Sequence, residues 1–248
     1  MVCITILYSS GALSYTNSQI FNAIPKFPTF QKFKEIKDYS SQQEIFSSQP
    51  QISYNPQAKY LFVEVSDMNC PNCARFHGYN STNDLYPYKK LTEEYISTGK
   101  MNYMFLDNRF LNTPDKHNSI YCVAEQDSRR FFQYKDALYK DFITTNTDFS
   151  FEKAKKYLNE VFFDMKKFED CYNSKKYEER VNKLSEYTSN TLHANSTPTF
   201  LIFEFQTQNV TKLDGSQSSE KFYTLKNTIE GNQDYELILK PEIEKALR

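Results

Sequence analysis

Tyr60-Leu61-Phe62-Val63-Glu64-Val65-Ser66-Asp67-Met68-Asn69-Cys70-Pro71-Asn72-Cys73 is the stretch on which the fold turns. An apolar, β-branched run ends in a short polar turn, and a helical pattern starts at a Cys-x-x-Cys pair. The run reads as a buried strand over 59–66. Pro71 suits the first turn of a helix, where its missing N–H costs nothing. Cys70 then falls at or beside the N-cap. Unpaired backbone N–H groups and the positive end of the helix dipole favour a thiolate there. Cys73 is one turn on, within reach for ring closure, which is the arrangement of a redox-active dithiol. The alternatives are half of a zinc site and an inert buried pair. Zinc takes two further ligands, usually from a second close pair. Cys3, Cys122, Cys171, His77, His117 and His193 are all isolated in the sequence, so no metal site is expected.

A second stretch, Asn195-Ser196-Thr197-Pro198-Thr199-Phe200-Leu201-Ile202-Phe203, sets a proline at the opening of a strand, a position a sheet tolerates. The two stretches, with the long helical region between them, resemble the DsbA-like thiol–disulfide oxidoreductases. The resemblance runs from about residue 60 to 247. It takes in Val63-Glu64-Val65-Ser66-Asp67, Ala74-Arg75-Phe76-His77, Phe131-Phe132-Gln133-Tyr134-Lys135-Asp136-Ala137-Leu138-Tyr139, Ile229-Glu230-Gly231 and Tyr235-Glu236.

The resemblance implies an α/β, thioredoxin-like fold with an inserted all-helical subdomain. It implies catalysis by Cys70 and Cys73, with Cys70 attacked first. It places Thr197 and Pro198, the latter in a cis peptide bond, at the substrate-binding edge facing the pair. It implies an acid at Glu64 that relays a proton, with a pKa raised by burial; an outward-facing strand residue is the alternative. His77 is expected to be structural. Some relatives join cysteines at places matching Cys122 and Cys171, so a structural disulfide is expected there. The implied function is the introduction of disulfides into unfolded or partly folded exported proteins with free thiols. A membrane redox partner would reoxidise the pair, and no cofactor is needed. A reductase or isomerase is the alternative within the enzyme class. A non-catalytic domain holding thiols or copper is the alternative outside it. A monomer outside the cytoplasm is expected, periplasmic, in the cell envelope or secreted. Asn72 departs from the His or Tyr that many relatives carry. Asn cannot become a cation, so the sequence leaves the potential open.

The 248 residues suffice for one large or two small domains. A formal charge of −1 leaves no basic field to hold nucleic acid. Aromatic residues make up 16% with no Trp, so the core is expected to be built on Phe and Tyr. Residues 1–57 read as a tail or linker, with a short helix around 30–39 and a strand at 51–54. The first 15 residues are too short to span a membrane and lack the basic start of a signal peptide. They read either as a disordered or mis-started end or as the remnant of an export signal or anchor. Residues 58–113 form the first part of the core, 114–192 a helical insertion, and 193–248 the second part. The strand, helix, strand unit at 59–106 implies a parallel crossover. Ser81-Thr82-Asn83-Asp84 resembles a capping box. Residues 206–220 are expected to be a long turn between two strands, and Pro241 to kink or restart the final helix.

Overall fold

The computed structural model describes residues 27–79, 86–111, 114–145, 149–158, 163–211, 216–231 and 234–248. Cys3, the Ser81–Asp84 box and residues 212–215 of the expected long turn lie outside them. The apolar run at the Cys-x-x-Cys becomes β3 (Tyr60–Ser66), buried along nearly all its length because both of its faces are covered. It pairs in parallel with β4 (Met101–Asp107), from Tyr60 opposite Met101 to Ser66 opposite Asp107. Between them lie α2 (Pro71–Phe76), α3 (Pro87–Leu91) and a π-helical turn, Thr92–Ile96. On the other side β3 pairs antiparallel with β5 (Thr199–Thr211), which pairs with β6 (Gln217–Glu230). The two central strands are thus flanked, and the sheet, which also takes in β1 (Thr29–Phe30) and β2 (Gln51–Ser53), runs β1-β2-β4-β3-β5-β6.

The segment expected as a linker contributes two strands to this sheet. β1 (Thr29–Phe30) and β2 (Gln51–Ser53) extend it at the β4 edge. The expected helix at 30–39 does not form, and α1 (Gln42–Ser48) forms instead. Its start is set by Ser41, whose hydroxyl accepts the Glu44 N–H. Phe46 from α1 is fully buried, edge-on to Phe203 and Tyr223. Burial of one such ring stabilises by about 1.5–3 kcal/mol, which is enough to hold a short helix on the domain. The expected long turn at 206–220 is also different. Both strands continue into it, so only residues 212–216 separate them.

Between β4 and β5 come α4 (Pro114–Ala124), α5 (Ser128–Thr145), α6 (Phe151–Lys156), α7 (Met165–Asn173) and α8 (Glu178–Asn190). Cys122 on α4 and Cys171 on α7 are joined by a disulfide, with their Cα atoms 5.8 Å apart. The chain ends in a π-helical turn, Tyr235–Leu239, and α9 (Lys240–Ala246). Pro241 stands in the first turn of α9, so the helix restarts where the proline costs no hydrogen bond.

Candidate active site

α2 begins where β3 runs out. Cys70 is its N-cap in extended conformation and Pro71 opens the helix. The carbonyls of Cys70 and Cys73 are both taken, by the N–H groups of Ala74 and His77. Gly78, at φ +90°, ends the helix after less than two turns. Pro71 and Asn72 face outward, Cys70 keeps 6% of its surface, and Cys73 has none. The sulfur expected to be attacked first is therefore largely covered. Its cover is the loop before β5: the Cys70 thiol donates to the Thr197 carbonyl at 3.2 Å. The Thr197–Pro198 peptide is cis. These four residues, Cys70, Cys73, Thr197 and Pro198, come from opposite ends of the sequence and meet in one place.

The two thiols, both free, are driven apart electrostatically. The Cys70 pKa is drawn down to about 6. A hydrogen bond from the Cys73 thiol is the largest cause and outweighs burial; Thr197 and the N–H groups of Cys73 and Asn72 add to it. Burial pushes Cys73 well above the ordinary thiol value, and the neighbouring Cys70 and the Glu64 charge push the same way. The Ser66 hydroxyl opposes them through a hydrogen bond. One sulfur is built to be a thiolate and the other to be a thiol.

Glu64 is buried within β3, and its titration runs opposite to the expectation. Burial alone raises a carboxyl pKa. Here burial is outweighed by His77, whose Nε2 lies 2.9 and 3.1 Å from the two carboxylate oxygens, by Lys135, and by the Tyr103 hydroxyl, which donates at 2.6 Å. The carboxyl is held down at about 2. His77, expected to be merely structural, is thus bound directly to this acid. Lys135 was not singled out by the sequence at all, because one lysine within an amphipathic helix reads as surface. Its side chain is 1% exposed, with Nζ 3.3 Å from His77 Nδ1 and 2.8 Å from Asp136 Oδ1.

A second buried charged group holds the turn before Cys70. Asp67 accepts the N–H groups of Asn69 and Leu111 and offers its carbonyl to the Cys70 N–H. His117, on α4, lies between Asp107 (2.6 Å) and Asp67 (3.4 Å). Burial works against its charge, but the two aspartates raise its pKa to about 9. Its neighbour Lys116 donates to the Met68 carbonyl at 2.9 Å and to Asn69 Oδ1 at 3.0 Å. Burial brings that ammonium down to about 8. The insertion therefore grips the cysteine turn directly through two residues. Among the described residues no three His, Cys, Asp or Glu side chains converge in a group that could hold a metal.

The thioredoxin family model matches residues 47–225. No curated protein matches the sequence. Among solved structures, the thiol-disulfide exchange protein α-DsbA2 from Wolbachia pipientis is similar at TM-score 0.57 and 20% identity, over 82% of this chain and 90% of that one. BdbD from Bacillus subtilis, in its oxidised form, gives 0.56 and 16%, over 80% and 92%. Chlamydia trachomatis DsbA gives 0.56 and 16%, over 68% and 86%. The model spans the cysteine turn, the helical insertion and β5, and the structures share the same frame, so this chain belongs to the thioredoxin family and has the fold of the DsbA proteins.

Proposed function

We propose that the protein is a thiol–disulfide oxidoreductase that oxidises substrate dithiols through a Cys70–Cys73 disulfide. The reading is carried by the asymmetry of the two thiols: one depressed sulfur at the helix start, one buried sulfur a turn inside. In exchange, a substrate thiolate attacks Cys70, the Cys70–Cys73 bond breaks, and a mixed disulfide forms with the electron pair left on Cys73. A second substrate thiolate then attacks the substrate sulfur of that bond. The substrate disulfide forms and Cys70 leaves as a thiolate. A leaving thiolate that is already stable makes release fast and the oxidised form strongly oxidising. Thr197 and Pro198 form the edge over Cys70 that an extended substrate strand would meet, by main-chain pairing of the β-augmentation kind. Exported proteins with free thiols are the substrates, since a disulfide oxidant is of use only in an oxidising compartment. A membrane partner restores the Cys70–Cys73 disulfide. Among the described residues no helix is long and apolar enough to cross a membrane.

Two measurements test the reading together. The potential of the pair is set by equilibration with glutathione, and the oxidised protein is then mixed with a reduced, unfolded substrate. An oxidase gives a potential above that of the glutathione pool and stoichiometric substrate disulfide. A potential as low as thioredoxin's, roughly −270 mV, with no net oxidation rejects the oxidase and leaves a reductase.

A further inference from the structure

Four residues, Asp67 to Cys70, lead from β3 into α2, and the shape of this turn fixes where the first sulfur stands. Within it, Asp67 accepts the Asn69 N–H at 2.7 Å on its carboxylate and the Cys70 N–H at 3.1 Å on its carbonyl. From outside it, α4 supplies two consecutive cations. Lys116 Nζ donates to the Met68 carbonyl at 2.9 Å and to Asn69 Oδ1 at 3.0 Å. His117 lies 3.4 Å from Asp67 and 2.6 Å from Asp107. Both stand among the first four residues of α4. Lys116 keeps 3% of its surface and His117 none. The placement is costly twice over. Charges held dry lose their hydration, and apolar side chains of similar volume would pack there at lower cost. Cations are also disfavoured at the positive, N-terminal end of a helix. What the pair gains is its hold on the turn. Asp67 and Met68 are fully buried, so a carboxylate and a carbonyl there need charge or hydrogen bonds from the protein.

We propose that Lys116 and His117 form a charged latch through which the helical insertion sets the reactivity of Cys70. The proposal rests on the disulfide-exchange reading above and adds to it two positioning residues, which act through the turn and not on the sulfur. Cys70 carries its charge while the N–H groups of Asn72 and Cys73, and Thr197, are aimed at its sulfur. Hydrogen bonds weaken steeply as their angle closes, so the aim depends on how the turn delivers Cys70 to the helix start. Without the Lys116 ammonium, the buried Met68 carbonyl loses its donor and the turn shifts to find another. Without the His117 charge, Asp67 faces a second buried carboxylate, Asp107, and loosens its hold on Asn69 and Leu111. Either change moves Cys70 off the N–H groups and makes its thiolate less stable. The Cys70–Cys73 disulfide then becomes a weaker oxidant. α4 packs against α5, α7 and α8, so a shift of the insertion is felt at Cys70. By linkage, the charge state of Cys70 is felt in return at α4.

The test uses the full chain. Reduced protein is alkylated across pH and read at each cysteine by mass spectrometry, and oxidised protein is equilibrated with glutathione. No exchange with glutathione in the wild-type protein refutes the exchange reading itself. Given exchange, Lys116→Met is expected to raise the pH midpoint of Cys70 alkylation by about one unit. It should also lower the equilibrium constant for reduction of the pair by glutathione about tenfold, the size of one lost bond to a buried carbonyl. A role in packing alone would lower the urea midpoint and move neither value. Lys116→Arg keeps the charge and the donors and should return both values most of the way. The exposed Lys140→Met takes a charge from α5 of the same insertion and should change neither. Unmoved values in Lys116→Met, an equal shift in Lys116→Arg, or a like shift in Lys140→Met overturns the latch. Should Lys116→Met fail to fold, His117→Gln is read in its place, with the same direction expected and unmoved values again a refutation. The charged groups facing the latch stay unchanged in every variant. They are Asp67 in the turn, Asp107 from β4, Asp141 from α5 and Lys153 from α6.

Discussion

A thiol with a pKa near 6 is mostly thiolate at neutral pH, while its partner, pushed far above that, stays protonated. Alkylation of the reduced protein should therefore modify Cys70 with a midpoint near pH 6 and spare Cys73 until much higher pH, as peptide mass spectrometry can read. Cys73→Ser should accumulate mixed disulfides with a reduced, unfolded substrate, and Cys70→Ser should form none. Early reaction at Cys73 would reverse the assigned roles. His117 supplies a second titration. Its pKa is raised from 6.5 to about 9, so the folded state holds its proton more tightly than the unfolded chain does. That contribution is complete below pH 6.5 and is lost as the pH rises through 9. Lys116, lowered to about 8, acts in the opposite sense at higher pH, and Cys70 titrates only when reduced. Urea midpoints of the oxidised protein between pH 6.5 and 8 should fall with pH, and His117→Gln should flatten the slope. Equal slopes would remove His117 from the account.

At the scale of elements, α2 is only Pro71–Phe76, and its end is fixed by Gly78. A Cβ there would lie 2.5 Å from Tyr86 Cδ1, and φ is +90°. Gly78→Ala should cost more than about 1 kcal/mol in a denaturant titration, and should disturb His77, which caps the same helix. β3, α2, β4 and the strand after Pro198 were legible because period, proline position and cysteine spacing all point the same way. The far halves of β5 and β6 were not. Gln206, Thr207, Gln208 and Asn209 carry no apolar alternation in the sequence, so the period that marks a strand is missing there and their pairing with residues 219–222 shows only in the structure. α1 lies outside the resemblance, although Ser41 stands three residues before Glu44, the spacing of a capping box. The fixing charges of the site, Lys116, His117 and Lys135, are the part least visible in sequence. A charge on an amphipathic helix is ordinarily solvated, and only the tertiary contact shows otherwise.

For the molecule as a whole, the bond between Cys122 and Cys171 ties two insertion helices 49 residues apart in sequence. Replacing both by Ala should lower unfolding stability by roughly 2–4 kcal/mol, measured in urea with Cys70 and Cys73 reduced. The first of those helices also carries Lys116 and His117 onto the turn that presents Cys70. On the exchange reading, a freshly made chain is then a client of its own kind. It arrives with a dithiol in the insertion, and a finished copy can oxidise it. The population would mature autocatalytically. Refolding from the fully reduced state, with oxidised glutathione present to re-form the Cys70–Cys73 bond, should show a lag, and a trace of oxidised, folded protein should shorten it.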